Sequence, residues 1–210
     1  MKLDMIPYNP ADRVELPKKQ KFQGAKALPP EQLLELLDIF RNDPIEPVVR
    51  LAVTYGMRRS EICGLLWNAV DFDAGTLYVC HTAVKNQGEI LFVDRTKTAT
   101  SRRHLPLTSS IRDYLLELKA EQDKNRTLFG RAYVECGCVC TKADGTPIDP
   151  DFVTHHFRRV VQAHGLTCRF HDLRHSVVNT LRKGGCDVKD IQAWLGHSDV
   201  STTLKVYGHL

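Results

Sequence analysis

Six side chains spread along the sequence suit the handling of a phosphate ester: Arg58, Lys97, His171, Arg174, His197 and Tyr207. Tyr207 is a lone phenol almost at the end of a 210-residue chain. By itself it is a poor nucleophile, because a pKa of about 10 leaves only ~0.1% ionised at neutral pH. It needs a base close by and a cationic setting around the atom it attacks. His171 and Arg174 stand at i and i+3, which on a helix puts imidazole and guanidinium on one face. Arg58 follows Gly56-Met57 at the start of a predicted helix, where backbone N–H groups and the helix dipole already favour an anion. Lys97, within Thr96-Lys97-Thr98, falls in the turn expected between the last two strands, where a long ammonium can reach into a cleft. Together these groups would bind a phosphodiester and hold its charge while an oxygen nucleophile displaces an oxygen leaving group. Each also has an ordinary reading: Arg58 with Glu61 as a surface ion pair, the histidines as structural, Tyr207 as terminal packing, Lys97 as one lysine among many.

The elements that must position these residues follow from periodicity and punctuation. Residues 1–27 hold Asn9-Pro10, Pro17 and the basic cluster Lys18-Lys19-Gln20-Lys21 without sustained apolar periodicity, and read as an extended arm or linker. Pro29-Pro30-Glu31 starts a helix with a Leu33, Leu34, Leu36, Leu37, Phe40 stripe. A second helix from about Glu46 is apolar on nearly all sides and therefore central. Gly56 breaks it, and a third runs from Arg58 to near Trp67. Between Thr76 and Leu107 the pattern becomes short β-like runs at 77–80, 90–93 and 104–107, with Asn86-Gln87-Gly88 as a turn. Thr108 or Ser109 caps a helix to about Lys124. A short strand is expected over 133–140, then helices from Asp149-Pro150, from near His171 to Gly184-Gly185, and from Asp187 to Leu195. The fold class is mainly α with a small three-stranded antiparallel β-sheet (α+β).

Bulk composition narrows the function classes. At 42% hydrophobic and 26% charged, the chain has the make-up of an ordinary globular protein. A net charge of +4 permits an anionic partner without demanding one. No apolar run approaches the ~20 residues of a membrane span and no signal peptide opens the chain, so the expected location is cytoplasmic. The cysteines are odd in number, seven, which argues for reduced thiols. Cys136, Cys138 and Cys140 alternate and on a strand would share one face. They lack the spacing of a zinc-ligand pair and the second pair that would complete four ligands. No metal and no cofactor are expected.

Taken in order, Gly56-Met57-Arg58-Arg59-Ser60-Glu61, Lys97, His171-Asp172-Leu173-Arg174-His175, Leu195-Gly196-His197-Ser198 and Tyr207 closely resemble the catalytic domain of tyrosine recombinases, the phage-integrase family. The flanking Leu65-Leu66-Trp67 with Asp71, Arg103-His104-Leu105-Pro106-Leu107 and Thr202-Thr203 look alike as well. Residues 1–27 are similar to the linker that follows the family's core-binding domain, which leaves 28–210 as catalytic domain. The resemblance implies site-specific DNA recombination without metal or ATP. Arg58 and Arg174 would clamp the scissile phosphate, and Tyr207 would attack phosphorus to give a 3′-phosphotyrosyl link and a free 5′-hydroxyl. Lys97 would protonate the leaving oxygen, His171 would assist proton transfer from the phenol, and His197 would hydrogen-bond the phosphate.

Glu61 and Asp172 would orient the arginines or a helix end rather than do chemistry. Lys85, Arg102, Arg103, Arg158, Arg159, Arg169 and Lys205 are the expected DNA phosphate contacts, against the ordinary reading of a solvated basic face. The family's N-terminal clamp domain has no counterpart here and only Gly208-His209-Leu210 follow Tyr207. The expectation is therefore a catalytic fragment, monomeric in solution, that assembles with copies of itself into a tetrameric synapse on double-stranded DNA. A metal-dependent nuclease, a recombinase-like module that only binds DNA, and a type IB topoisomerase are the alternatives.

Overall fold

The computed structural model describes Asn9, Val14, residues 27–94 and residues 102–196. Lys97, His197, Lys205 and Tyr207, and nearly all of the expected arm, lie outside the described residues. Helices α1 (Pro30–Ile39), α2 (Glu46–Tyr55) and α3 (Arg59–Cys63) lead into strands β1 (Val70–Asp71), β2 (Thr76–Val79), β3 (His81–Asn86), β4 (Glu89–Asp94) and β5 (Arg103–Pro106). Helices α4 (Ser109–Phe129), α5 (Pro150–Ala163), α6 (Phe170–Lys183) and α7 (Val188–Leu195) complete the described chain.

The helices begin where their caps dictate. Pro30 and Pro47 sit in the first turns of α1 and α2, where a missing N–H costs nothing. Asp149 and Asp187 cap α5 and α7, each carboxylate accepting a backbone N–H at 2.8 Å, from Asp151 and Asp190. Val48, Val49, Leu51 and Ala52 are buried, which makes α2 the central helix as expected; it lies against α1, α3 and α6. Phe40 of the α1 end stacks on Phe157 of α5 at 5.2 Å, and Phe157 meets Phe170 of α6 edge-on at 5.4 Å. Each such buried ring or branched side chain contributes roughly 1.5–3 kcal/mol relative to exposure. Leu34 departs from the predicted stripe and faces solvent.

The sheet differs from the expectation in its pairing. Strands β1, β2 and β5 form one antiparallel sheet, with Leu77 opposite Leu105 and Tyr78 opposite His104. The run around 90–93 does not join it. Strand β4 folds back on β3 as a separate hairpin, with Val84 opposite Leu91. The cause is the turn at Gln87-Gly88, both at positive φ (49° and 92°), which matches the twist of a tight hairpin and pairs β4 with its immediate neighbour. His81–Asn86 carried too many polar residues to register as a strand. Strands β4 and β5 thus belong to different sheets, and Lys97, which falls between them in the sequence, lies outside the described residues.

Two further expectations change. Helix α3 ends at Cys63 rather than near Trp67, because the following backbone bonds elsewhere: Trp67 N–H donates to Gly137 O at 2.9 Å, and Leu65 O accepts from Val139 N–H at 2.9 Å. The same contacts replace the strand predicted over 133–140, leaving single bridges between Leu66 and Cys138 and between Thr141 and Pro147. Gly137, at φ +67°, breaks the alternation that would have aligned the three cysteines. Among the described residues no helix is long and apolar enough to cross a membrane, and the cysteines are free thiols.

Candidate active site

The site is assembled where the C-terminal ends of α2 and α7 meet α6. Gly56 closes α2 in the left-handed region (φ 63°). A Cβ there would lie 3.0 Å from Leu195 Cδ2 and 3.1 Å from Val177 Cβ, so glycine is what lets α2 approach both neighbours. Trp194 Nε1–H donates to Tyr55 O at 3.1 Å, and the Tyr55 hydroxyl donates to Pro106 O at 3.0 Å. The end of α2 is thereby tied to α7 on one side and to β5 on the other.

Arg174 of α6 reaches into this junction. Its guanidinium donates to Gly56 O and to Leu195 O, both at 2.7 Å, and the residue is 3% exposed. The last carbonyls of a helix lack internal partners and carry the negative end of its dipole. Arg174 therefore caps two helices at once, which fixes a buried cation beside the Gly56-Met57-Arg58 turn.

Arg58 is held by different means. It is the N-cap residue of α3, and the Glu61 carboxylate accepts its backbone N–H at 2.9 Å and its Nη1 at 2.8 Å. Glu61 is 1% exposed and also accepts from Arg103 Nη2 at 3.0 Å. Burial would raise the Glu61 carboxyl, but the charge and hydrogen bond of Arg103, with Arg58 behind it, outweigh burial and hold it at about 2. The carboxylate is thus charged at neutral pH, and the Arg58 side chain, 31% exposed, projects from a fixed base. Its neighbour Arg59 hydrogen-bonds Thr154 and pairs with Asp151 of α5 at 3.4 Å.

His171 lies in the first turn of α6, exposed, with its ring edge-on to His175 at 5.1 Å. Partial desolvation, then the charges of His175 and Arg174 and, less, Arg58, lower its pKa against the pull of Asp172. The imidazole is therefore neutral at pH 7 and able to accept a proton. That Arg58 and Arg174 both act on His171 brings the three described members of the predicted set into one electrostatic neighbourhood. At the start of α6, the Asp172 carboxylate accepts Arg169 N–H at 2.8 Å, so Asp172 orients a helix end as the sequence suggested. A cavity of about 760 Å³ opens here, lined by Met57, Arg59, Arg158, Arg169, His171 and Arg174 among others.

The expected phosphate contacts divide. Arg158 is exposed on the cavity wall. Lys85 pairs with Asp149 at 2.6 Å, Arg102 with Asp94 at 2.9 Å and Arg169 with Asp172 at 3.0 Å, each keeping an exposed surface. Arg159 donates to His156 Nδ1 at 2.9 Å, while His156 Nε2 faces Asp43 at 2.8 Å. Arg103 is the correction. It is 7% exposed and spent on Glu61, so it anchors α3 to β5 from inside instead of offering a surface cation. Sequence reasoning missed it because nothing in Arg102-Arg103 says which arginine of the pair points inward. The alternation of β5, buried at Arg103 and Leu105 and exposed at His104 and Pro106, is the signal that settles it. Glu61 was legible as a partner of Arg58, but as a surface pair rather than a sealed one. Among the described residues no cluster of His, Cys, Asp or Glu is arranged to hold a metal ion.

The sequence model of the phage integrase family matches residues 26–210. A tyrosine recombinase XerC-like protein of Caldanaerobacter subterraneus subsp. tengcongensis is 26% identical, over 98% of this chain and 54% of its own. The integrase of Staphylococcus phage L54a is 27% identical, over 94% and 62%. Among solved structures, the Tn1549 transposon integrase in complex with transposon right-end DNA superposes with a TM-score of 0.77 at 21% identity, over 97% of this chain and 67% of that one. XerA recombinase superposes at 0.65 with 19% identity, over 93% and 62%. At these identities the likeness to the structures establishes the fold. The chain spans only 54% and 62% of the length of these two curated relatives.

Proposed function

Because the chain belongs to the phage integrase family, we propose that it performs site-specific DNA recombination, cleaving and rejoining strands through a covalent 3′-phosphotyrosyl intermediate. Residues 28–210 form the catalytic unit and double-stranded DNA is the substrate. The observation that carries the reading is the convergence at Gly56. There Arg174 caps the ends of α2 and α7 while Arg58, two residues further on, stands on the sealed Glu61 carboxylate.

Two fixed guanidiniums on one side of a phosphate suit the charge that builds on its nonbridging oxygens as a fifth oxygen approaches. Being already tethered, and Arg174 already desolvated, they require little rearrangement as the reaction proceeds. In the proposed step the Tyr207 oxygen forms a bond to phosphorus and the bond from phosphorus to the 5′-oxygen breaks. His171, neutral at pH 7, takes the phenol proton, and Lys97 gives one to the departing oxygen. His197 hydrogen-bonds the phosphate. Rejoining runs the step backwards from a different 5′-hydroxyl, so phosphodiester energy is kept and ATP is not consumed. Copies of the chain assembled on DNA, four to a synapse, would supply the paired sites.

The test is capture. A pool of nicked duplexes with randomised cores is incubated with the protein in EDTA, and SDS-stable protein–DNA adducts are recovered and sequenced. Enrichment of one core sequence in the adduct fraction is the expected result. Cleavage that needs a divalent ion and leaves no adduct would instead favour a metal-dependent nuclease, and binding without cleavage a DNA-binding module. Adducts on every core, with relaxation of supercoils, would favour a type IB topoisomerase.

A further inference from the structure

Ser176 follows Arg174 by two residues on α6 and is fully buried, yet the chemistry proposed above gives it no part. Its hydroxyl makes two hydrogen bonds. Oγ donates to Asp172 O at 2.9 Å, one turn back along the helix, and accepts Leu28 N–H at 2.8 Å. A hydroxyl carries one proton and two lone pairs, so donating to Asp172 O fixes its rotamer and leaves a lone pair for Leu28. Leu28, 148 residues away in sequence, is itself buried in the short segment that leads into α1. With the hydroxyl gone its buried N–H would lose this acceptor, which is costly.

The tie acts on the side of α6 away from Arg174. Successive helix residues are about 100° apart around the axis, so Arg174 and Ser176 point about 200° apart, to opposite sides. Arg174 faces the ends of α2 and α7, where it donates to Gly56 O and Leu195 O, each at 2.7 Å. Val177, three residues on from Arg174, lies against the same α2 end. Ser176 holds the far side, toward the entry of α1. Asp172 joins the two grips: its carbonyl accepts from Ser176, and its carboxylate accepts Arg169 N–H at 2.8 Å in the turn that carries His171. A roll of α6 about its axis would lengthen both Arg174 bonds, which are short and directional, and the Ser176–Leu28 bond resists that roll.

We propose that Ser176 is a positioning residue for strand cleavage: by tying Leu28 to α6 it holds Arg174 in its two-helix cap. This role rests on the recombination reading. Ser176 acts through Arg174 and touches no substrate. Because residues 1–27 join the catalytic unit at Leu28, the same hydroxyl links the placement of that segment to the active-site helix. A hydroxyl that merely satisfied Leu28 N–H would lower stability when removed and leave Arg174 where it is.

The full 210-residue chain, with isotopically labelled arginine, is compared with Ser176→Ala by NMR, the Arg174 signals being assigned with Arg174→Lys. A guanidinium pinned by two carbonyls shows separate Nη resonances, whereas one that turns freely shows an averaged signal. Separate Arg174 signals are expected in the wild type and an averaged one in Ser176→Ala. On the duplex recovered by capture, single-turnover cleavage by Ser176→Ala should be slower by about tenfold or more, with DNA affinity within about twofold of wild type. Ile111→Val, which trims the buried core at α4, controls for lost stability and should keep the wild-type signals and rate. Circular dichroism checks that each variant is folded. Separate Arg174 signals persisting in Ser176→Ala would overturn the proposal, as would Ile111→Val reproducing its effects. A wild type that forms no adduct would refute the recombination reading instead, and the Arg174 signals would still decide the tie.

Discussion

Arg103 Nη2 stands 3.0 Å from Glu61 Oε2, and the two side chains are 6% and 0% exposed, so strand β5 and helix α3 are joined by an ion pair sealed from solvent. The other Glu61 oxygen holds Arg58. One carboxylate thus ties an internal cation to a surface cation. The surface cation inherits a fixed position from the core.

Glu61→Gln tests that tie. The amide keeps the shape and can still accept a hydrogen bond, but it leaves Arg103 buried without its counter-charge. Breaking such a pair from one side typically costs about 3–5 kcal/mol. Urea unfolding should show a loss of that size, with the slope m unchanged. Arg58→Ala, which removes only the half-exposed partner, should cost less than about 1 kcal/mol in the same titration while abolishing adduct formation.

Acid stability follows from the same carboxylate. Glu61 is held at about 2 in the fold against an ordinary value of 4.5. Its contribution is therefore fully present above pH 4.5 and disappears as pH falls toward 2. Integrated over that window the loss is about 3 kcal/mol. Urea midpoints measured between pH 5 and 2.5 should fall steeply for the wild type and less steeply, by about one proton, for Glu61→Gln.

Gly56→Ala places a methyl group where Leu195 and Val177 already sit and forces an L residue into the left-handed region. The strain is expected to cost about 1–3 kcal/mol. Because Gly56 O is an acceptor for Arg174, the variant should also lose cleavage at temperatures where it is still folded. A fully active Gly56→Ala would show that the two-helix cap does not position Arg174.

The expected DNA contacts separate by salt dependence. Arg158→Ala should reduce the slope of log affinity against log salt by about 0.9, the signature of one lost phosphate contact. Arg103→Ala should lower stability, while its salt slope stays as in the wild type.

These contrasts mark where sequence reading stopped. His171 and Arg174 were legible as a pair from their i, i+3 helix spacing, Arg58 from its place after Gly56-Met57 at a helix start, and Gly56 as a helix stop. Periodicity carries no partner information, so it missed that Arg174 would cap two helix ends distant in sequence and that Arg103 would turn inward to Glu61. The sheet was mispaired for a related reason. Polar His81–Asn86 gave no strand signal until the Gln87-Gly88 turn folded β4 onto it. Cys136, Cys138 and Cys140 were aligned on paper by alternation, and one left-handed glycine undid it.

In the proposed reaction His171 supplies the pH limb. Its pKa is lowered below the usual 6.5, so the neutral base persists to more acidic pH than for a free imidazole. Single-turnover cleavage should hold its rate on acidification through 6.5 and decline only below it, with His171→Gln slow and flat across the range.

The central claim is that the Tyr207 oxygen becomes bonded to DNA phosphorus. Using the duplex recovered by capture, the SDS-stable adduct is digested with trypsin and nuclease, and the nucleotide-bearing peptide is sequenced by mass spectrometry. The nucleotide is expected on Tyr207, with no adduct from Tyr207→Phe or from Arg58→Ala. A nucleotide on any other residue, or an adduct formed by Tyr207→Phe, would contradict it.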